Sequence, residues 1–470
     1  MGGPGNEGRV NTFRWITLVL ILVVATPLAV WAHNLRPFGP ETVVSDLWFR
    51  TRPARAPRRD LLIVARDPKT LKELGKPSHA DYARLVRRLT DAGAAWIVLD
   101  LDLDERQGRA ADGALWRAIE ASRRTLVLVR HRADATRNPD DDELRGLRAL
   151  ERSVKWQEVG LTGRTPEWNW LDFTPATSDF IHSAHAAGVA VDEQSRDGDG
   201  VLRRSRAAYF TRVLYPADEE QGKLTNFYAV IPNLAVSTAV AAMGGDEQSL
   251  DYRFGQRLAF GTATRVPLDA QGFVPIDYVG PAGTLPRVSM SDVIEGEVDS
   301  ARIKDRIVFV GSTVPGDELS DYQRTPTGTT MPRVEITAQM TQGFLDQRSL
   351  VLPHVVGAWA IFGLALLLGA VAPLFRPGPS ALAAVLILAG YLLLGWVLFW
   401  ARSIMLPVLP ALVLTLSSIA IMLAAAAVMR PYSEAELVEV RDTGMAIGAG
   451  EELPDTRRRW GPFRRRGTGQ

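Results

Sequence analysis

The longest unbroken apolar runs lie at the two ends of the chain. Residues 15–32 read WITLVLILVVATPLAVWA without a charge, and at about 1.5 Å per residue a helix of that length approaches the ~30 Å hydrocarbon layer of a bilayer. Trp15 and Trp31 stand where interfacial anchors belong, and the run exceeds the roughly 7–15 apolar residues of a signal-peptide core. An uncleaved span over residues 15–33 is expected. Three further uncharged runs follow near the other end, predicting spans at 354–375, 380–400 and 404–429. Buried helices of a soluble core rarely go about 20 positions without a charge. Arg9, Arg14, Arg376 and Arg430 flank the spans and mark the cytoplasmic side. Residues 1–14 and 430–470 are then inside, and 34–350 form one large outer domain.

Within that domain the period changes. Leu61 to Ala65 is a short run of branched apolar residues broken by Asp67-Pro68, the pattern of a buried strand. Ser78 with Asp81 predicts a capping box, Tyr82, Leu85, Val86 and Leu89 recur at helical spacing, and Gly93 closes the helix. Residues 95–101 form a second strand, Asp112 opens a second helix carrying Leu115, Trp116 and Ile119, and residues 125–129 form a third strand. This β-α-β-α-β order predicts a parallel, doubly wound core with helices on both faces. Residues 132–177 are charged and broken by Pro139, Pro166 and Pro175, which reads as an insertion or loosely structured cap. Asp197-Gly198-Asp199-Gly200 predicts a hairpin turn between strand-like arms. Further strand-like runs lie at 257–269 and 273–280, and residues 306–312 look like another central strand. The expected fold class is α/β, an extracytoplasmic mixed sheet plus four transmembrane helices.

Charge and cysteine content narrow the chemistry. Lys and Arg number 54 against 53 Asp and Glu in 470 residues, so no whole-chain field favours nucleic acid or another polyanion. The absence of cysteine excludes disulfides, thiolate metal sites and cysteine nucleophiles.

Over residues 41–350 an ordered series of segments resembles the second type of the CHASE sensors, extracytoplasmic sensory domains of bacterial membrane receptors. The series is SDLWFRTR at 45–52, DLLIVARD at 60–67, DAGA followed by IVLDLDLDE, DGDGVLRR at 197–204, IDYVGPAGTLPRVSMSDVIEG at 276–296 and DRIVFVGSTVPGDELSDYQRTP at 305–326. Family members share the layout of one span before the sensor and three after it. Where the family shows Pro-Gly-Val-Glu-Ile-His, this chain has Pro332-Arg333-Val334-Glu335-Ile336-Thr337. The resemblance implies a sensory input module in the bacterial inner membrane, usually followed by a cyclase or kinase. Only 41 residues follow Met429, so the output is expected on a separate cytoplasmic kinase or cyclase.

Asp100, Asp102 and Asp104 alternate after the second strand and Asp67 leaves its neighbour, at the edge where open α/β sheets commonly bind ligands. A cation or cationic ligand is one reading; solvated strand-end acids are the other. A phosphatase of the haloacid dehalogenase type also begins with spaced aspartates, but it wants Thr or Val where Asp104 stands. The glycines of GSTVPGD at 311–317, the loop that holds Ser312 and Asp317, suit its backbone N–H groups to an anion, although the Lys of a phosphate-binding loop is missing. Arg203 and Arg204 would suit a carboxylate or phosphate. His182 and His185 stand at i and i+3 in SDFIHSAHAAG at 178–188, which would place both on one helical face, yet two ligands do not make a metal site. The candidate ligand-binding residues are therefore Asp67, Asp100, Asp102, Arg203, Arg204, Ser312 and Asp317, with no catalytic residue, metal or cofactor expected.

Residues 334–347 have helical character and lie fewer than ten residues from the second span, which suits them to transmit motion to the membrane. The tail offers a short helix capped by Ser433 and Glu436 and a basic end with Trp460 and Phe463, suited to an anionic leaflet. Expected partners are inner-membrane lipids, the cytoplasmic output protein, an extracytoplasmic ligand and a second copy in a homodimer. The alternative functions are an envelope assembly factor that binds another protein, and an extracytoplasmic metal-dependent hydrolase.

Overall fold

The computed structural model describes residues 4–33, 41–131, 140–158, 172–191, 195–211, 227–245, 249–261, 264–269, 271–317, 320–348, 350, 354–371 and 377–428. Helix α1 (Pro4–His33) precedes α2 (Glu41–Thr51), which buries Trp48 and Phe49. Strand β1 (Leu61–Arg66) is buried at every position and stops at Asp67, whose carboxylate accepts the Thr70 amide at 2.9 Å and so caps α3 (Pro68–Leu74). The predicted capping box of Ser78 and Asp81 opens α4 (His79–Asp91), and Gly93, at φ +79°, ends its turn. After β2 (Trp96–Leu99), α5 (Arg109–Ser122) starts three residues before Asp112. Asp112 lies in its first turn, where its carboxylate accepts the amides of Gln107 and Gly108 at 3.1 and 3.3 Å and complements the positive helix end.

Strand β3 (Thr125–His131) leads to α6 (Asp141–Ser153), β4 (Lys155–Glu158), β5 (Phe173–Thr174), α7 (Ser178–Ser183) and β6 (Ala186–Val189). The described parts of 132–177 are thus ordered elements of the β3-to-β6 crossover, not a loose cap. The apolar residues of α6, among them Leu147 and Leu150, decide this by packing into the core under the charged exterior. Next come β7 (Arg204–Arg206), β8 (Ala208–Thr211), β9 (Phe227–Pro232), α8 (Leu234–Ala242), β10 (Asp251–Arg253), β11 (Arg257–Phe260), β12 (Thr264–Pro267) and β13 (Phe273–Pro275). Asp197 to Gly200 do form a turn, with the Gly200 amide on Asp197 O at 2.8 Å. The expected hairpin arms nevertheless separate: β6 pairs with β3, and β7 with β13.

Strand β14 (Arg287–Ser289), α9 (Met290–Glu295) and β15 (Ile307–Ser312) bring the chain back into the main sheet. The short pair β16 (Gln323–Arg324) and β17 (Thr330–Met331) then delivers it to α10 (Arg333–Leu345). Strand order is β14-β1-β15-β2-β3, with β6 also pairing to β3, and all these pairings are parallel; β5 adds antiparallel to β3.

Side chains alternate across the sheet as a two-residue period requires. Leu62, Val64, Ile97, Leu99, Val308 and Val310 face one core with α4, α5, α6, α7 and α9. Leu61, Ile63, Ala65, Val98 and Phe309 face the other, with α8 and α10. Helices pack on both faces of the sheet. Yet β1 to β2 to β3 to β6 advance in one direction, so their right-handed crossovers put every crossover helix on one face. The second layer comes from α8 and α10, which enter from antiparallel segments.

The chain ends in α11 (His354–Val371), α12 (Pro377–Arg402) and α13 (Val408–Val428). Among the described residues three stretches are long and apolar enough to cross a membrane: Trp15–His33 of α1, Pro379–Arg402 of α12 and Val408–Ala425 of α13. Helix α11 supplies a shorter apolar run, Val355–Val371. The expected span at 404–429 starts late, at Val408, because residues 403–407 lie outside the helices and Pro407 immediately precedes α13.

By packing, residues 27–361 and 389–412 form one unit and residues 1–26, 362–388 and 413–470 another. In the second unit Gly369 admits the Leu18 side chain, which a β-carbon there would meet. The predicted tail helix at 433 and the basic end lie outside the described residues.

Candidate functional site

The parallel strands end at one edge, where the exits of β1 and β2 run to one face and that of β15 to the other. Such a divergence opens a crevice above the strand ends. Arg66 and Ser312 are paired neighbours on β1 and β15 at this edge. Arg66, 4% exposed, reaches Asp317 at 2.8 Å, and the Ser312 hydroxyl donates to the same carboxylate at 2.5 Å. The GSTVPGD loop is therefore closed on itself. The Thr313 amide donates to Arg66 O, that of Val314 to Ser312 Oγ and that of Asp317 to Val314 O, so these three loop amides are engaged within the protein and not turned to an anion. Tyr82 lies near the Arg66–Asp317 pair, and burial pushes its hydroxyl above the ordinary tyrosine value.

Asp100 continues β2 at this edge, with its amide on Val310 O at 2.9 Å. Its carboxylate is inside the protein, accepting from Arg333 Nε at 2.7 Å and Thr337 Oγ1 at 3.1 Å. Burial pushes Asp100 up, and Arg333 and Thr337 pull it down. Burial also opposes the Arg333 charge, yet Asp100 and Asp102 hold this guanidinium above its ordinary value. An arginine does not give up its proton in a protein, so a positive charge stays beside Asp100, whose carboxyl burial holds above its ordinary value. Asp102 binds Arg130 at 2.8 Å and approaches Arg333 at 3.5 Å. With both oxygens of Asp100 occupied and the residue 1% exposed, it presents no nucleophile.

Next to Asp102 the same edge opens into a cavity of about 390 Å³. Its lining includes Asp104, Glu105, Asp140, Asp142 and Glu143 against the single guanidinium of Arg106. Arg106 binds Asp142 at 3.0 Å and Asp179 at 3.2 Å. Acidic side chains outnumber basic ones in this lining, although Asp142 is shared between Arg106 and Arg145, and such a surface favours a positively charged ligand.

Asp67, Asp100, Asp102, Ser312 and Asp317 all lie at this edge. Asp67 is taken by its cap and by the Ser289 hydroxyl, which donates to it at 2.8 Å. Arg203 and Arg204 lie elsewhere, in the antiparallel part of the domain. Arg203 is surrounded by Asp46 at 2.8 Å, Asp197 at 2.7 Å and Asp199 at 2.6 Å. Arg204 binds Asp269 at 2.9 Å and stacks 4.2 Å from the Phe273 ring centre. Both are carboxylate receptors, for carboxylates of this chain. His182 and His185 part company because α7 ends at Ser183, and the His185 ring rests 4.7 Å from Trp96. Among the described residues no group of three His, Cys, Asp or Glu side chains could hold a metal ion.

Sequence reasoning missed Arg66, Arg130 and Arg333. Each lies far along the chain from the aspartate it neutralises. For Arg333 a signal existed: a charged residue at the start of an otherwise apolar and uncharged-polar helix face.

The family model described as the CHASE2 domain matches residues 16–371. The chain belongs to the CHASE2 family. CHASE2 domains are extracytoplasmic sensor domains, which accords with apolar helices at both ends of the matched stretch. No curated protein and no solved structure matches the chain. Arg333, which follows Pro332 at the start of α10, supplies the guanidinium that meets Asp100 in this chain.

Proposed function

We propose that this CHASE2 protein is a membrane-bound receptor of the bacterial inner membrane. In this reading it has four spans, cytoplasmic termini and a non-catalytic outer domain whose occupancy is passed to a cytoplasmic kinase or cyclase. Helix α11 serves as the second span. Its apolar run of 17 residues gives about 25 Å at helical rise, which a bilayer accommodates by slight thinning.

The observation that carries the reading is the Asp100–Arg333 pair. Asp100 sits at the ligand-facing edge two residues from Asp102 and four from the acid-lined cavity, and Arg333 is the first residue of α10. Helix α10 ends at Leu345 and α11 begins at His354. A change at the cavity rim thus bears directly on the helix that leads to the membrane.

The test is a thermal-shift screen of the full chain in lipid nanodiscs. Probes are calcium chloride, magnesium chloride, arginine and spermidine, with sodium phosphate as the anionic control. Stabilisation by a cationic probe, lost in Asp104→Asn with Glu105→Gln, is the expected result. No shift with any cation, or a shift that survives the double variant, overturns the cationic site.

A further inference from the structure

Asp277 follows β13 and its side chain is 0% exposed, a costly place for a lone charge. Three donors converge on it. Arg52 Nη1 donates at 2.8 Å, Arg55 Nη1 stands at 2.9 Å, and Ser403 Oγ donates at 2.5 Å. The two arginines follow α2, whereas Ser403 stands in the turn between α12 and α13. One carboxylate therefore holds together three distant parts of the chain, its own included.

The turn is built to present that hydroxyl. Ser403 is fully buried, adopts φ +55° and donates its amide to Phe399 O at 3.0 Å, closing α12. Phe399 is buried against Trp48 and Phe49, with ring centres 5.6 and 5.0 Å apart. The Arg52 guanidinium lies 4.9 Å from the Phe49 ring and 4.8 Å from the Phe399 ring, a cation–π sandwich across the joint. Nearby, Glu41 of α2 accepts the Leu409 amide, in the first turn of α13, at 2.6 Å. On its other side the Asp277 segment is tied to α10. Gln339 accepts the Val279 amide at 2.8 Å and donates to Gly280 O at 3.3 Å.

We infer that Asp277 is a joint linking the state of α10 to the turn between α12 and α13, so that the outer domain reaches the membrane helices by a second exit besides the run of α10 into α11. The direction of signalling rests on the receptor reading above. The joint itself requires no ligand to be seen, because it is a mechanical connection through a contiguous set of buried hydrogen bonds.

The experiment is hydrogen–deuterium exchange by mass spectrometry on the full chain in nanodiscs. It compares the wild type with Ser403→Ala, Ser403→Gly and Gln339→Ala. Glycine tolerates φ +55° without a hydroxyl and so separates loss of the bond from backbone strain. Both Ser403 variants should accelerate exchange about tenfold at residues 276–280 and in the C-terminal half of α10. Gln339→Ala should do the same at residues 403–409. Effects confined to the mutated segment overturn the joint, as does an equal acceleration throughout β1 to β3, which would be global loosening. Confined effects would leave the receptor reading standing with α10 as its exit, and a failed ligand screen would leave the joint standing.

Discussion

Val334 of α10 rests directly on Gly311 of β15. A β-carbon at position 311 would lie 2.7 Å from Val334 Cβ and 2.8 Å from its Cγ2. The glycine is what allows α10 to press onto the end of the strand and to bring Arg333 within reach of Asp100. Gly311→Ala should therefore destabilise the outer domain by about 1–3 kcal/mol through overpacking. Chemical unfolding measures it, and pairing with Val334→Ala should recover only part, since the Cβ contact remains. An unaffected midpoint would contradict the close approach.

The Asp100–Arg333 pair gives a sharper expectation. Arg333→Met removes the guanidinium from a carboxylate that is 1% exposed, at a cost of about 3–5 kcal/mol for the stranded charge. Adding Asp100→Asn removes that charge, so the double variant should be more stable than Arg333→Met alone. Additive losses in the double-mutant cycle would mean the two side chains act independently.

Asp199 provides a pH test in the antiparallel part. The hydrogen bond from Arg203 holds its carboxylate down at about 2, below an ordinary value of 3.8. A folded-state value below the unfolded one stabilises the protein above the unfolded value and loses that contribution as pH falls towards the folded value. The stability gap between wild type and Asp199→Asn should thus be full at about pH 6 and shrink between about pH 4 and pH 2. Thermal melts of both chains across that range read it, and a constant gap would refute the assignment.

Transmission through α10 has its own test. Three glycines inserted after Asp346, the residue that caps α10 and binds Arg58 at 2.8 Å, lengthen the connection to α11 with a flexible segment. The melting temperature should move by only a degree or so, about what loss of one exposed ion pair gives. Any change in α11 exchange produced by a stabilising cation should disappear. If that change persists while the Ser403 variants abolish it, the turn after α12 is the main route.

The helices with the strongest local signals were legible residue by residue. Ser78, Asp81 and Gly93 fixed the ends of α4 because capping is a contact between residues three or four apart. The β1, β2, β3 and β15 cores were legible as branched apolar runs, since strands buried on both faces carry no polar alternation. The hairpin around Asp197 was misread for the opposite reason. Its turn is local and real, but which strand each arm joins is decided by long-range pairing, β6 with β3 and β7 with β13.

The candidate residues divide along the same line. That Asp67, Asp100 and Asp102 stand at a strand-end edge follows from their places after predicted strands, and the structure puts them there. What neutralises them does not follow. Arg66 meets Asp317 and Arg333 meets Asp100 across separations that neither period nor motif can bridge.

By itself, then, the chain's sequence determined its apolar helices, its alternating parallel core and its family, because each is written in local periodicity or in an ordered set of short segments. Tertiary structure alone decided which charges cancel, that four crossover helices share a face with α6, that a carboxylate-lined cavity opens beside Asp102, and that Asp277 clasps Ser403. Those outcomes depend on which distant groups packing brings within about 3 Å, where burial makes a missing partner costly, and such distances are set by the fold as a whole.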